Sequence, residues 1–150
     1  LGFIRPTRSA EESMAINRIT GGAIVIAGSG MCSGGRIRHH LKHNLWRREA
    51  RVVIVGFQAN GTLGRRLVDG AEHVKLFGEE IAVRAHIHTL GGYSAHAGRS
   101  DLLRWAGAIR GKPRFYLVHG EAEALQTLKT DLEQSGNPVR LPLFGETIGI

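Results

Sequence analysis

Two imidazoles in this sequence sit where chemistry is usually done. His96 follows the glycine turn of Gly91-Gly92-Tyr93-Ser94-Ala95, and His119 follows the apolar run Phe115-Tyr116-Leu117-Val118. Each lies where a strand-like segment gives way to a loop, and loops on a rigid scaffold carry a disproportionate share of reactive groups. A histidine can exchange a proton near neutral pH or ligate a metal. His86 and His88 alternate along a strand-like segment and so share one face. That is either metal-ligand geometry or a polar sheet face, and the polar face is the preferred reading. His39, His40 and His43 lie three and four apart and read as solvated or phosphate-facing, and His73 reads as a surface residue.

The stretch Gly28-Ser29-Gly30-Met31-Cys32-Ser33-Gly34-Gly35 suggests a second chemistry. It follows the apolar run Ala23–Ala27 and precedes a basic segment beginning at Arg36. Strand, glycine loop and basic helix is a layout that cradles phosphates, because backbone N–H groups approach the anion and the helix N-terminus adds partial positive charge. The glycine spacing matches neither the P-loop nor the dinucleotide fingerprint. A tight turn that needs small residues explains the glycines equally simply. Gly56-Phe57-Gln58-Ala59-Asn60-Gly61 forms a similar loop, after which Thr62 begins a short segment carrying Arg65 and Arg66. In an open parallel sheet, ligands bind at the carboxyl ends of strands, so Arg36 and Arg65 or Arg66 are placed to converge on one polyanion.

The elements that position these residues follow from local signals. Ser9 caps a helix through about Ile19, with Glu12 completing a capping box. Ala23–Ala27 and Arg51–Val55 read as strands buried on both faces. Between them runs a helix over 36–46, with Ile37, Leu41, Leu45 and Trp46 inward. Thr62 caps a helix from Leu63 to about Val68. His73–Phe77, a turn at Gly78-Glu79 and Glu80–Thr89 read as a hairpin, whose second strand points Ile81, Val83, Ala85 and Ile87 one way and Glu80, Arg84, His86 and His88 the other. Ser100 caps a helix over Asp101–Ile109 with Leu102, Leu103, Trp105, Ala106 and Ile109 inward. A strand over Arg114–Val118, a helix from Glu121 to Gln134 and a strand over Val139–Leu141 complete the series. The fold class is α/β.

Composition narrows the partner. All of the net charge of +7 lies in residues 1–70, where 11 Lys/Arg face 4 Asp/Glu; residues 71–150 hold 9 of each. Such an imbalance points to a polyanion, with nucleic acid first among candidates. The lone Cys32 excludes an internal disulfide and any cysteine-based zinc site, and fits a reducing cytoplasm. It reads as a small space-filler rather than a nucleophile. No apolar run approaches the ~20 residues of a membrane span.

Four stretches together resemble the second half of a metallo-β-lactamase-fold nuclease of the β-CASP family, the RNA-processing enzymes that include the pre-mRNA cleavage endonuclease and bacterial and archaeal ribonucleases. They are Gly28–Arg36, Val55–Arg65, Gly91–Ala97 and Leu117–Glu121. The resemblance implies that residues 1–70 form the second half of a parallel-sheet β-CASP lobe that clamps RNA. Residues 71–150 are then the C-terminal β/α segment of a metallo-β-lactamase domain of RNA-metabolising type. It implies that His96 is the general acid at the scissile phosphate and that His119 ligates one of two zinc ions. The implied RNA-contacting set is Ser29, Gly30, Ser33, Gly34, Gly35, Arg36, Gln58, Thr62, Arg65 and Ser94.

The sequence departs from the family in one large respect. The metal motif His-x-His-x-Asp-His is absent, and His86-Ile87-His88 is followed by Thr89-Leu90-Gly91-Gly92, which cannot replace it. The expectation is therefore a C-terminal fragment of a longer ribonuclease. It would not retain zinc or cut RNA alone, and would act in the cytoplasm on single-stranded RNA. Its other expected partners are the upstream half of the same polypeptide and a second copy of the chain as a homodimer, with no membrane. The alternatives are a non-catalytic nucleic-acid-binding α/β module and a mononucleotide-binding domain built on Gly28–Gly35.

Overall fold

Local chain chemistry sets the first helix, α1 (Ala10–Ala15): Ser9 Oγ accepts the Glu12 N–H at 3.2 Å, and the Glu12 carboxylate reaches back to the Ser9 N–H. The computed structural model of the chain describes residues 3–93 and 96–149. It is a mixed α/β structure with parallel strand pairs, and it divides into two compact units, residues 1–94 and 95–150.

In the first unit, α1 runs into a 3₁₀ turn at Ile16–Arg18. Next come α2 (Ile37–Asn44), β1 (Arg51–Ile54) and α3 (Leu63–Val68), then β2 (His73–Leu76), β3 (Glu79–Ala82) and β4 (His86–Thr89). Thr62 caps α3 as its sequence predicts, accepting the Arg65 N–H at 3.2 Å. The core gathers Cys32, Leu41, Leu45, Leu67, Val74, Leu76 and Ala85, with Ile37, Val52, Leu63 and Ile87 packed against it. Burial pushes the Cys32 thiol pKa up, which disfavours the thiolate and fits a space-filler.

Several expectations are corrected here. Ala23–Ala27 forms no strand: Ile24 and Ile26 are 93% and 95% exposed, because the run finds no ladder partner among the described residues. An apolar run reports a segment that favours burial; it does not supply the surface that buries it. Within β1 only Ile54 is buried. Trp46, expected inward, lies past the end of α2 and is 56% exposed. The hairpin turn is Phe77-Gly78, both residues in the left-handed region, one position earlier than predicted. Glu80–Thr89 is not one strand. After β3 the N–H groups of Arg84 and Ala85 both donate to Leu45 O, at 2.7 and 2.9 Å, so the chain leaves the hairpin. It then lays β4 parallel to β1, with His86 opposite Arg51. The alternation itself holds, with Ala85 buried and His86 and His88 exposed on one face, their rings 6.4 Å apart.

The second unit holds α4 (Arg99–Ala108), β5 (Phe115–Tyr116), α5 (Ala122–Gln134) and β6 (Val139–Arg140), with β5 parallel to β6. Gly98, not Ser100, is the N-cap of α4: Asp101 Oδ2 accepts the Gly98 N–H at 3.2 Å, so the acidic side chain does the capping. Ala106 is buried, but Leu102, Trp105 and Ile109, expected inward, are exposed. Trp105 still meets Phe115 edge-on at 6.3 Å. Arg99 pairs with Asp131 across α4 and α5, and its guanidinium holds the Asp131 carboxyl below the ordinary carboxylate range.

Candidate nucleic-acid interface

The two glycine loops of the first unit are built as one piece. The first is closed internally: Cys32 N–H donates to Ser29 O at 3.1 Å, Gly34 N–H to Ser29 Oγ at 3.2 Å, and Ile37 N–H to Gly28 O at 3.2 Å. Gly35 has φ +69°, and a Cβ there would stand 2.6 Å from Gly28 O, so this close return requires glycine. Gln58 fastens the second loop to the first. Its amide nitrogen faces the carbonyls of Gly30, Gly56 and Phe57 at 3.0, 3.2 and 2.9 Å. Gly64 N–H donates to Met31 O at 3.0 Å, drawing the start of α3 into the same joint. The side chain of Gln58 is buried, and its Oε1 has no hydrogen-bond partner among the described residues.

These contacts give the predicted residues different duties. Ser29 and Gln58 hold the loops, and Thr62 caps α3 while its hydroxyl donates to Ala59 O at 2.7 Å. Ser33 donates to Met31 O at 3.3 Å, and Gly30 offers its carbonyl to Gln58. Gly34 contributes its N–H to the loop's own closure. Arg36 turns toward the N-terminal segment, donating to Thr7 O at 2.8 Å and Arg8 O at 3.2 Å. Arg65 pairs with Asp69 one turn along α3, at 2.8 Å, and is part-exposed. Ser94 lies outside the described residues. Where the second loop leaves β1, Ile54, Gly56, Phe57, Thr89, Leu90 and Gly91 line a depression of about 280 Å³ at the carboxyl ends of the parallel pair β1 and β4. This is the edge where open parallel sheets take ligands.

His40 is the residue the sequence placed wrongly. It is buried, not solvated, with Nδ1 3.2 Å from Asn17 Oδ1 and Nε2 3.1 Å from Ser13 Oγ. An amide oxygen can only accept, so Nδ1 carries the proton and Nε2 of the neutral ring accepts from Ser13. Burial lowers its pKa first, and the charges of His39, His43 and Arg36 lower it further. The signal was present: His40 stands three after Ile37 and next to Leu41, on the inner edge of the helix.

In the second unit His96 and His119 are both exposed. His119 follows β5 with φ +62°, a left-handed backbone that few non-glycine residues adopt. Among the described residues no group of three or more His, Cys, Asp or Glu is arranged to hold a metal. Zinc centres use three or four protein ligands. No helix among the described residues is long and apolar enough to cross a membrane.

Comparison with known proteins finds two family models along the chain. Residues 2–67 match the family model described as the Beta-Casp domain, and residues 80–142 match the Zn-dependent metallo-hydrolase RNA specificity domain. The chain is 46% identical, over 93% of its length, to a ribonuclease of Thermus thermophilus, of which it spans 32%. It is 33% identical to transcription termination factor FttA of Pyrococcus abyssi, over 97% of this chain and 24% of that protein. It is 29% identical to an RNase J-like protein of Methanocaldococcus jannaschii, over 95% of this chain and 33% of that protein. The chain thus spans a third or less of the length of these relatives.

Proposed function

Since this chain belongs to the β-CASP family of metallo-β-lactamase-fold proteins, we propose that it is the RNA-holding portion of an RNA-hydrolysing enzyme. In this reading residues 1–70 belong to the lobe that grips the strand, and residues 71–150 to the hydrolase domain that receives it. The joint between the two glycine loops carries the proposal. Gln58 and the Gly64 N–H fix both loops at one edge, so that their remaining backbone and side-chain groups meet a phosphodiester chain without prior reorganisation. The excess of positive charge in residues 1–70 supports a polyanionic partner.

His96 is assigned as the proton donor to the leaving oxygen, a role that typically contributes about 10²–10⁴-fold to rate. His119 is assigned as one ligand to a zinc centre that other residues of the enzyme complete. The isolated 150 residues are accordingly inactive, and the protein works in the cytoplasm on single-stranded RNA. Chelator-sensitive RNA cleavage by the isolated chain would overturn the assignment of inactivity.

The RNA-holding role is tested by Arg36→Ala combined with Arg65→Ala, measured by fluorescence anisotropy with single-stranded RNA over a salt series. Weaker binding and a shallower dependence on salt are expected. Unchanged affinity and slope refute the role. Circular dichroism melts show whether the loss of the Arg36 anchor to Thr7 and Arg8 has also loosened the N-terminal segment. The second reading is a non-catalytic nucleic-acid-binding module, which the excess of positive charge in residues 1–70 would serve equally. In the intact protein, a His96→Ala variant that binds RNA normally and cleaves at the wild-type rate would favour the module.

A further inference from the structure

The basic residues around α2 divide into two groups. Arg36 donates to the carbonyls of Thr7 and Arg8, Arg47 donates to Ile19 O and Thr20 O, and His40 is buried against Ser13 and Asn17. These side chains tie the N-terminal segment to the helix. Beside them, His39 and His43, one turn apart on α2, and Trp46, in the turn that follows the helix, are all exposed. Arg38 and Lys42 flank them. The core residues Leu41 and Leu45 point the other way.

The hairpin tip extends this face. Phe77 stacks on His39 with ring centroids 4.4 Å apart and planes 26° apart, while the Arg38 guanidinium sits 4.6 Å from the centre of the Phe77 ring. The outer face thus presents four rings, Phe77, His39, His43 and Trp46, interleaved with two cations. From His39 on α2 to Trp46 in the turn beyond it, the face spans about 10 Å. Lys42 pairs with Glu79 at 2.6 Å, and among the described residues no carboxylate pairs with Arg38.

We infer that this exposed face of α2 and of the turn that follows it is a stacking track for single-stranded RNA. The inference rests on the RNA-holding role proposed above. Flat rings accept bases of any sequence, and interleaved cations meet the phosphates between them. Two features favour RNA over a protein partner. The face carries the charged Lys42 among its rings, whereas the centres of buried protein interfaces are depleted in lysine. It also lies within the part of the chain that holds all of the net positive charge.

The test uses the intact protein and single-stranded homopolymeric oligoribonucleotides of increasing length, with binding read by anisotropy. Trp46 is exposed and makes no core contact, so Trp46→Ala leaves the fold in place. On RNA long enough to cover both the loops and the helix, Trp46→Ala is expected to lower affinity by about 5-fold or more, the smallest effect of losing one stacked base. Trp46→Phe is expected to restore most of it. The shortest RNA that binds wild type should bind all variants alike. Equal affinity of wild type and Trp46→Ala for long RNA would overturn the track and leave the loop reading standing. Failure of wild type to bind RNA of any length would overturn both. If wild type forms an oligomer in sedimentation that Trp46→Ala abolishes, the face is an interface between copies, and the track is overturned.

Discussion

Replacing Gly64 with alanine sets two effects against each other. Gly64 is the second residue of α3, and alanine in place of glycine in a helix ordinarily stabilises by about 1 kcal/mol. Here the new Cβ would lie 1.7 Å from Gln58 Oε1, 2.7 Å from Gln58 Cδ and 3.2 Å from Met31 O. The Gln58 amide must therefore move, and it is enclosed, with its nitrogen among three loop carbonyls. Overpacking typically costs about 1–3 kcal/mol. Leaving the buried Gln58 amide nitrogen unsatisfied adds about 1–3 kcal/mol. With the propensity gain subtracted, Gly64→Ala is expected to destabilise the first unit by about 1–5 kcal/mol. Urea unfolding of wild type, Gly64→Ala, Gln58→Ala and the double variant measures it. In the Gln58→Ala background only the Met31 contact remains, so the alanine at position 64 should be close to neutral there, giving a coupling of about 1 kcal/mol or more. A Gly64→Ala protein as stable as wild type, or a cost that persists without the Gln58 amide, would refute the joint as described.

Three further outcomes follow from the same contacts. Gly35→Ala combines a left-handed backbone with a Cβ 2.6 Å from Gly28 O, so it should destabilise by about 2 kcal/mol or more in thermal or urea melts and weaken RNA binding with it. The folded pKa of His40 lies below its ordinary value. The neutral ring is therefore favoured in the native state, and stability is fully present above the unfolded pKa of about 6.5 and lost as pH falls from there toward the folded value. Protection factors against hydrogen exchange at residues 10–18 should fall over that window, and His40→Asn should flatten the dependence. Arg47→Ala removes the donors to Ile19 O and Thr20 O, so limited proteolysis at Gly21-Gly22 should become several-fold faster with the rest of the first unit intact.

What could be read from the sequence was what neighbouring residues decide. The Ser9–Glu12 capping box, the Thr62 cap and the alternation from Ile81 to His88 each depend on groups a few positions apart, and all are present. What could not be read depends on distant partners. Leu45 O captures the N–H groups of Arg84 and Ala85 and splits the predicted second strand; no pattern within 80–89 encodes that acceptor. Ala23–Ala27 was legible as apolar but not as unpaired, since pairing belongs to whatever lies beside it. In the candidate interface, the loop residues were recognisable by type. Their division into braces such as Gln58, anchors such as Arg36 and outward groups such as His39 was not, because a side chain's direction follows from its contacts.

The backbone at His119 carries a consequence of a different kind. With φ +62°, the position favours glycine, or asparagine as the next choice, and an ordinary L residue there sits about 1–2 kcal/mol above its relaxed conformation. Selection for hardiness alone would drift toward glycine and lose the imidazole. Any procedure that ranks substitutions by folding stability would therefore recommend removing the residue assigned to the metal. Heat resistance and chemistry compete at this one position, and a variant library sorted on both would reveal the conflict as a histidine retained against its conformational preference.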